Sequence, residues 1–443
     1  MIQQAGSKLC ADQIGRQIFE LMERLFPLHR SQTGACNRMT LDIISEIIPL
    51  EVFESPSGSQ AFDWTIPQEW SIQAAYISLG GERLVNYADS NLCVLNGSQP
   101  IRGEFHFAEL KEHLFAHPTI PDAIPYRTAF FREQWGFCVT QAQLKLLESL
   151  DGPFEVVIDS AETQGSLTYA ETNTRPDAPE TFLIWAHCCH PSLANDNLSG
   201  MAVATYLAHE LAEHPTRYNY KVVFAPATIG AINWIAQQSS LESIVGGIVL
   251  SLLGDDDNFH YKKSPRQNSV VNKVFQLIKG ETRDKECAIE LLEFEPFGYD
   301  ERQFCSPATN LDVGRLTRAL PAQFPEYHTS LDNLDLVKPE NLAQSFKALM
   351  RAIEIFDANE TVQNKNGHCE PFLQPHNLFQ AYGENRELQV DFETVMWVLN
   401  LADGSQDLID MSLRSGKPFD QVVSAVQALK RTGLIQSAEE VRS

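Results

Sequence analysis

Hydrophobic residues in the first part of the chain recur at helical spacing. Residues 13–26 read QIGRQIFELMERLF, in which apolar side chains lie three or four positions apart, and residues 39–48 repeat this spacing. The periodicity predicts two amphipathic helices. From 62 to 152 the pattern changes to short runs of β-branched and aromatic residues between polar turns. We expect a small β-rich unit in that stretch, with one helix near 107–115.

From residue 154 onward, strand-like and helix-like segments alternate. Strands are predicted at 154–158, 181–186, 221–225 and 248–253, and helices at 201–211, 231–237, 269–279 and 341–357. Such alternation predicts an α/β fold, with a mostly parallel sheet flanked by helices. We place this α/β domain at 1–61 together with 153–360, and treat 62–152 as an inserted β-rich domain.

The C-terminal part of the chain is predicted to form a separate unit. A polar stretch at 361–370, followed by prolines at 371 and 375, is typical of a linker, and the helical patterns beyond it resemble a winged helix-turn-helix at 375–443. From 381 onward, ten acidic residues accompany these cations: Arg386, Arg414, Lys417, Lys430, Arg431 and Arg442. A DNA-recognition helix needs more basic and polar residues than this. We therefore expect this unit to contact another protein or to form a homo-oligomer. We expect no nucleic-acid partner.

Composition narrows the class of protein. The 443 residues are 43% hydrophobic, which suffices for two or three cores, and the net charge of −24 argues against broad contact with a phosphate backbone. Nine scattered cysteines suit reduced thiols better than a disulfide framework. The N-terminus lacks a basic segment followed by an apolar one, and no apolar run approaches the ~18 residues of a membrane span. We expect a cytoplasmic protein without a membrane partner.

The segment 182–200, FLIWAHCCHPSLANDNLSG, carries the strongest chemical signal. A predicted strand ends in His187 and His190, a loop with Asp196 follows, and a predicted helix begins after it. Imidazole and carboxylate groups at the C-terminal end of a strand suit a divalent metal ion, and that end of an open α/β sheet is where ligands bind. The alternative is a hydrogen-bonded loop with two incidental histidines.

Three further segments place reactive groups after predicted elements. PEYHTSLDNL at 325–334 offers His328 as a metal-ligating imidazole, with Asp332 as a carboxylate that supports it. Asp255 is the first residue of an acidic triplet just past a strand-like run. The triplet is either a solvated turn or a segment from which one carboxylate faces the site. GYDERQF at 298–304 brings Asp300, Glu301 and Arg302 together, either near a site or as a surface salt-bridge loop.

AHCCHPSLANDNLSG and the later YHTSLDNLD resemble the zinc aminopeptidase superfamily, in which a histidine follows a strand, a bridging aspartate precedes Asn-x-Ser-Gly, and a late His-Thr-x-x-Asp completes the set. The whole chain resembles more closely an aminopeptidase-like family of unknown function with a C-terminal winged helix. Stretches that carry this resemblance include FDWTIPQEW, IPYRTAFF, YDERQFCSP and MWVLNLADG. The resemblance implies a link to surface-polysaccharide biosynthesis.

The resemblance implies metal ligands at His190 or His187, Asp196, Asp255 and His328. His187 stands directly at the strand end, as in the superfamily, whereas the Cys-His-Pro-Ser motif of the closer family favours His190. One departure matters. The two-zinc enzymes carry a Glu-Glu pair after the next strand, and this chain has Ala227 and Thr228 there. We therefore predict one zinc ion per chain, with His328 nearby or weakly ligating.

The missing pair also removes the usual general base. Glu301, or Asp300 beside it, is the replacement that we predict, with Asp332 as a further catalytic carboxylate. Arg302 is a candidate for binding a substrate carboxylate, and Arg30 is a second anion-binding candidate whose alternative role is a helix-end surface contact.

Two hypotheses follow. The first is a zinc-dependent, aminopeptidase-like hydrolase of an amide or acyl bond, acting on an aminoacyl or N-acyl sugar rather than a peptide. The second is a catalytically degenerate peptidase fold that serves as a metal-containing binding or scaffolding protein. The β-rich insertion would cap the site in either case, with Trp64, Trp70 and Trp135 lining the cap or packing in its core.

Overall fold

A computed structural model describes residues 11–282, 288–376, 378 and 390–438. The described residues form two compact units, the first within Met1–Arg266 and Leu292–Lys347, the second within Gln267–Leu291 and Ala348–Ser443. Residues 1–10, and the cations Arg386 and Arg442 considered above, lie outside the described residues. So do parts of the segment in which the linker and the winged helix were predicted.

The α-helices, in chain order, are α1 (Ala11–Leu25), α2 (Ala35–Ser45), α3 (Phe107–Leu110), α4 (Gln141–Ser149), α5 (Gly200–Ala212), α6 (Ile229–Gln237), α7 (Val270–Thr282), α8 (Glu301–Phe304), α9 (Pro339–Ala358), α10 (Phe392–Leu401), α11 (Leu408–Ser415) and α12 (Phe419–Arg431). The helix expected at 107–115 is short, because a 3₁₀ turn at Lys111–His113 and a strand follow α3 directly. Where helices were expected at 13–26, 201–211 and 231–237, helices are present with slightly different ends.

The β-strands are β1 (Glu51–Pro56), β2 (Gln60–Ala61), β3 (Trp64–Thr65), β4 (Glu69–Leu79), β5 (Glu82–Asn86), β6 (Ile101–Phe105), β7 (Leu114–Ala116), β8 (Phe137–Val139), β9 (Phe154–Thr163), β10 (Ser166–Asn173), β11 (Thr181–His187), β12 (Asn219–Ala225), β13 (Ile244–Leu250), β14 (Phe259–Lys262), β15 (Ile289–Leu292), β16 (Val313–Thr317), β17 (Thr361–Asn364), β18 (Asp403–Asp407) and β19 (Ile435–Ser437).

Seven strands of the first unit make a central sheet in the order β1-β10-β12-β11-β13-β16-β14. The four strands β12, β11, β13 and β16 pair in parallel, whereas β1, β10 and β14 join antiparallel. The predicted α/β fold is confirmed, and within the central sheet these four strands are the ones that pair in parallel. Every residue of β11 is buried, as expected of a central parallel strand that is covered on both faces.

The β-rich part of the first unit has its own antiparallel sheet, in the order β5-β4-β9-β6. The strand expected at 154–158 does form, as part of β9, but it pairs with β4 and β6 instead of joining the central sheet. Its buried residues alternate with exposed ones over much of its length, which suits a sheet with one solvated face. A strand-like run of this kind does not by itself specify which sheet it joins.

The second unit contains a three-stranded antiparallel sheet, β18-β17-β19, with α10, α11 and α12. Two of its lysines face carboxylates: Lys417 Nζ lies 2.6 Å from Glu393 Oε2, and Lys430 Nζ lies 2.6 Å from Glu360 Oε2. These pairs reduce the positive potential that α12 offers to a phosphate backbone. Among the described helices, none combines the length and hydropathy needed to cross a membrane.

Candidate metal centre

The central strand β11 ends at His187 and brings this imidazole to the C-terminal edge of the sheet. Side chains alternate along a strand, so His187 shares a face with Trp185, and both are fully buried. The next segment turns back past the strand end, and α5 begins at Gly200. The residues between them, 188–199, form the loop that holds the candidate metal ligands.

Two asparagines attach this loop to neighbouring strand ends. Asn195 accepts a hydrogen bond from the Gly254 backbone N–H at 2.9 Å, and Asn197 donates to the Leu250 carbonyl at 3.0 Å. Asn197 also accepts from the Gly200 N–H at 3.2 Å. A Cβ on Gly200 would lie 2.3 Å from Asn197 Oδ1, so only glycine fits beside it. The Asn-Asp-Asn-x-Ser-Gly spacing therefore orients Asp196, which lies between the two anchors.

The Asp196 carboxylate lies among three histidines. Its Oδ1 is 3.0 Å from His187 Nε2 and 4.0 Å from His190 Nδ1, and its Oδ2 is 3.1 Å from His328 Nε2. Burial opposes ionisation of this carboxyl, but His190, His187 and His328 together hold the pKa of Asp196 well below its usual range. Asp196 is therefore an anion at neutral pH, as a metal ligand must be.

His190 has the properties of a ligand that lacks its partner. Its Nδ1 is buried and has no hydrogen-bond partner among the described residues. Burial lowers the pKa of His190 to about 3, so the ring is neutral and a nitrogen lone pair is available. The candidate ligand atoms of His187, His190 and Asp196 lie within 4.8 Å of one another. An ion that binds nitrogen and oxygen at about 2.0–2.2 Å fits between groups at this separation.

Asp332 supports the loop through its backbone. It accepts hydrogen bonds from the N–H groups of Asn195, at 2.6 Å, and Asp196, at 2.9 Å. Burial raises the pKa of Asp332 to about 8. Asp255 is also buried, and it accepts from the Asn195 side chain at 2.6 Å. Both carboxylates hold residues of the loop in place, and neither belongs to the group of three ligand candidates.

Aromatic rings surround the histidines. Tyr299 stacks on His187 with ring centroids 4.9 Å apart, and Tyr327 stacks on His328 at 4.0 Å. Tyr126 meets both His190 and His328 edge-on, at 5.2 and 5.3 Å. These tyrosines are not among the predicted site residues, although Tyr327 directly precedes His328 and Tyr126 lies within IPYRTAFF. The rings restrict the orientation of the imidazoles and exclude water from one side of them.

Comparisons with family models divide the chain near residue 360. A family model described as "Domain of unknown function (DUF4910)" matches residues 19–359, and a winged helix-turn-helix model matches 360–437. A Clostridium acetobutylicum protein named "Putative polysaccharide biosynthesis protein with aminopeptidase-like domain" is 38% identical over 430 residues, which is 96% of this chain and 97% of that protein.

The chain belongs to the DUF4910 family.

Solved structures share the fold of this chain. The crystal structure of a "putative peptidase" from Clostridium acetobutylicum has a TM-score of 0.89 at 38% identity and covers 96% of this chain and 97% of that one. The zinc aminopeptidase BSAP from Bacillus subtilis has a TM-score of 0.55 at 14% identity, covering 77% and 94%. The M28 peptidase precursor from Shewanella amazonensis also has a TM-score of 0.55, at 13% identity, covering 78% and 96%. The predicted zinc-aminopeptidase-like fold and C-terminal winged helix are confirmed.

Arg30 has different contacts from those that a substrate-binding role requires. It is buried, and it donates from Nε to the His190 carbonyl at 2.9 Å and from Nη1 to the Leu25 carbonyl at 2.7 Å. Burial lowers the pKa of Arg30 to about 10. The contacts of the guanidinium hold the backbone of His190 in place, and its burial leaves no surface for a substrate anion.

Glu301 is likewise enclosed in the protein. It is buried, and its Oε1 lies 2.8 Å from Lys262 Nζ and 3.2 Å from Arg315 Nη1. Asp300 is equally buried and accepts from Trp185 Nε1 at 2.7 Å, and burial raises its pKa to about 6. The predicted base therefore lies in an ion-paired cluster beneath the candidate metal centre. Arg302 is half-buried on α8 beside them.

Proposed function

We propose that this protein is a metal-dependent hydrolase of an amide or acyl bond, with one zinc ion per chain held by His187, His190 and Asp196. The observation that carries the proposal is the buried, neutral, unpartnered Nδ1 of His190, which lies 4.0 Å from the Asp196 carboxylate. A buried polar atom without a partner costs free energy, and a bound ion would satisfy it. The sequence left open whether His187 or His190 is the metal ligand. In this proposal both histidines bind the ion.

A zinc ion with an open coordination position lowers the pKa of a bound water and polarises a carbonyl. The protein supplies the rest. Asp332 and the two asparagines hold Asp196 rigidly, Arg30 holds the backbone of His190, and stacking on Tyr327 orients His328. The His328 side chain is 34% exposed, so it is the imidazole of the cluster that is open to a substrate.

The substrate class rests on resemblance to a relative. The Clostridium acetobutylicum protein is named for polysaccharide biosynthesis and an aminopeptidase-like domain. We propose that the substrate is an N-acylated or aminoacylated sugar. The sugar corresponds to polysaccharide biosynthesis in that name, and the amide or acyl bond corresponds to the aminopeptidase-like domain. Asp255, predicted as a ligand, acts in this proposal through Asn195, and Arg302 stays a candidate for contacting the substrate.

Metal content tests the site directly. Elemental mass spectrometry of tag-free protein should find about one zinc per chain in the wild type, and much less in Asp196→Ala and His190→Ala. Asp335→Ala is the matched control, since Asp335 is exposed and should retain the metal. Turnover of N-acyl and aminoacyl sugars should be lost with the metal. Two equivalents of zinc, or equal metal in all four proteins, would contradict the proposal.

A second function is favoured by the missing base. Ala227 and Thr228 stand where the two-zinc enzymes carry glutamates, and Asp300 and Glu301 are enclosed in the core. A general base typically contributes about 10²–10⁴-fold to a rate. If zinc binds and no amide or ester substrate turns over, the protein is a metal-containing binding protein on a peptidase fold.

A further inference from the structure

Three aromatic side chains are exposed on the first unit, and two of their rings are in contact. Phe62, Trp64 and Phe131 are 66%, 38% and 58% exposed. The rings of Trp64 and Phe131 lie 5.7 Å apart at an angle of 72°, so they form two walls of a corner. The largest exposed apolar patch of a monomeric protein is often a binding site. We call these three residues the aromatic corner.

The backbone presents Phe62 at a position where phenylalanine is unusual. The strands β2 and β3 pair Ala61 with Trp64, so Phe62 and Asp63 form a two-residue hairpin turn. Phe62 has a φ of 54°, in the left-handed region. Such turns favour asparagine, aspartate and glycine, because a bulky side chain is strained there. The turn therefore tolerates strain to place an aromatic ring in solvent.

The aromatic corner is connected to the metal centre by two routes. Ala61, at the base of the hairpin, belongs to the same hydrophobic cluster as Trp185 and Tyr299, which lie beneath and beside His187. Phe131 follows Tyr126, whose ring contacts His190 and His328, by five residues. Five residues span at most about 18 Å. The Cα atoms of Tyr126 and Phe131 are therefore no farther apart than the length of a short oligosaccharide.

We infer that the aromatic corner binds a neutral saccharide ring of the substrate by stacking, while the acyl group of the sugar reaches the metal centre. The inference rests on the proposed function, because it assigns the sugar part of that substrate to a surface. Flat aromatic faces bind amphipathic ligands well. The exposed Asp63 carboxylate beside Trp64 is available to sugar hydroxyls.

The size of the surface favours a small ligand over a second copy of the chain. An aromatic side chain has about 150–250 Å² of surface, so the exposed fractions of the three residues add up to an apolar area on the order of 350 Å². A stable protein interface needs roughly 800 Å² from each partner. The net charge of −24 disfavours anionic saccharides, which is why we infer a neutral one.

Saturation-transfer NMR with triacetylchitotriose and maltotriose, at millimolar concentration, tests the inference. We expect both sugars to bind wild type and expect Trp64→Ala and Phe131→Ala to weaken binding by about tenfold each, the scale of one stacking contact. Trp64→Phe should retain more binding than Trp64→Leu, because leucine lacks a flat face. Phe372→Ala is the matched control, since Phe372 is 72% exposed in the second unit.

The same experiment in Asp196→Ala separates the two proposals. Sugar binding that survives loss of the metal supports the corner even if the hydrolase proposal fails. Absence of binding to both sugars in folded wild type overturns the inference and leaves the metal site standing. Equal binding by Trp64→Leu and Trp64→Phe, or a dimer that Trp64→Ala dissociates, also overturns it, because the corner would then be a general apolar or protein contact.

Discussion

Glu301 provides the sharpest test of how the charged cluster beneath the metal centre works. Its carboxylate is the counter-charge of both Lys262 and Arg315, and all three side chains are buried. At an effective dielectric constant of about 20, attraction is about 6 kcal/mol at 2.8 Å and about 5 kcal/mol at 3.2 Å. Most of that attraction offsets the cost of burying the charges. Glu301→Gln removes the attraction and leaves two cations buried without compensation.

We therefore expect Glu301→Gln to lower the free energy of unfolding by about 3–5 kcal/mol, the usual cost of breaking a buried ion pair. Urea unfolding followed by circular dichroism measures it, provided that the slope is unchanged. Glu293→Gln is the matched control. Glu293 pairs with Lys263 at 2.6 Å but is 82% exposed, so its loss should cost less than about 1 kcal/mol.

The result also discriminates between two roles of Glu301. A catalytic base would lose turnover on substitution with little loss of stability, because glutamine has nearly the same shape. A structural carboxylate loses stability first. If Glu301→Gln and Glu293→Gln unfold at the same urea concentration, the assignment of Glu301 to a buried ion-paired cluster is refuted.

Three further predictions follow from other parts of the structure. Gly200→Ala should destabilise the protein by about 1–3 kcal/mol and reduce bound zinc, since the new methyl group would lie 2.3 Å from Asn197 Oδ1; unchanged metal content and unfolding midpoint would contradict this. Burial, with a smaller effect of Arg30, lowers the pKa of His29 to about 3, so the unfolded chain takes up a proton there below about pH 6.5 and the folded chain does not. As the pH is lowered from 6.5 to 3, this group should therefore reduce the free energy of unfolding by up to about 1.4 kcal/mol per pH unit. Urea titrations at a series of pH values measure this dependence, and His29→Gln should make it flatter. Because Lys417 and Lys430 are ion-paired, duplex DNA should show no retention by the protein at about 0.1 M salt; tight binding that weakens steeply with salt would show that the winged helix recognises DNA.

Local motifs carried much of the candidate site. His187, His190, Asp196 and His328 were identified from two short segments, and the structure brings the three histidines together around the Asp196 carboxylate. This was possible because a strand end, a tight loop and a following helix are encoded within nineteen consecutive residues, 182–200. His328 lies far away in sequence, and it was connected with the loop because both motifs fall in one predicted α/β domain and because of the resemblance.

Contacts of charged residues were not predictable in the same way. Glu301 was predicted as a replacement for the missing general base, and Arg30 as an anion-binding residue or a helix-end surface contact. In the structure both are buried, since strands and loops from other parts of the chain pack over them. Burial of a charge depends on partners that are distant in sequence, as Lys262 and Arg315 are from Glu301. No local pattern contains that information.

By itself the sequence determined the α/β class, the helices of the first unit, the winged helix and the metal-loop motif, because hydrophobic periodicity and turn residues act over a few positions. Only the tertiary structure decided that β9 joins the separate antiparallel sheet, that Tyr126, Tyr299 and Tyr327 enclose the histidines, and that His187 and His190 approach the same oxygen of Asp196. Strand pairing and ring packing depend on which surfaces meet when the whole chain buries its apolar area, and that is a property of the complete fold.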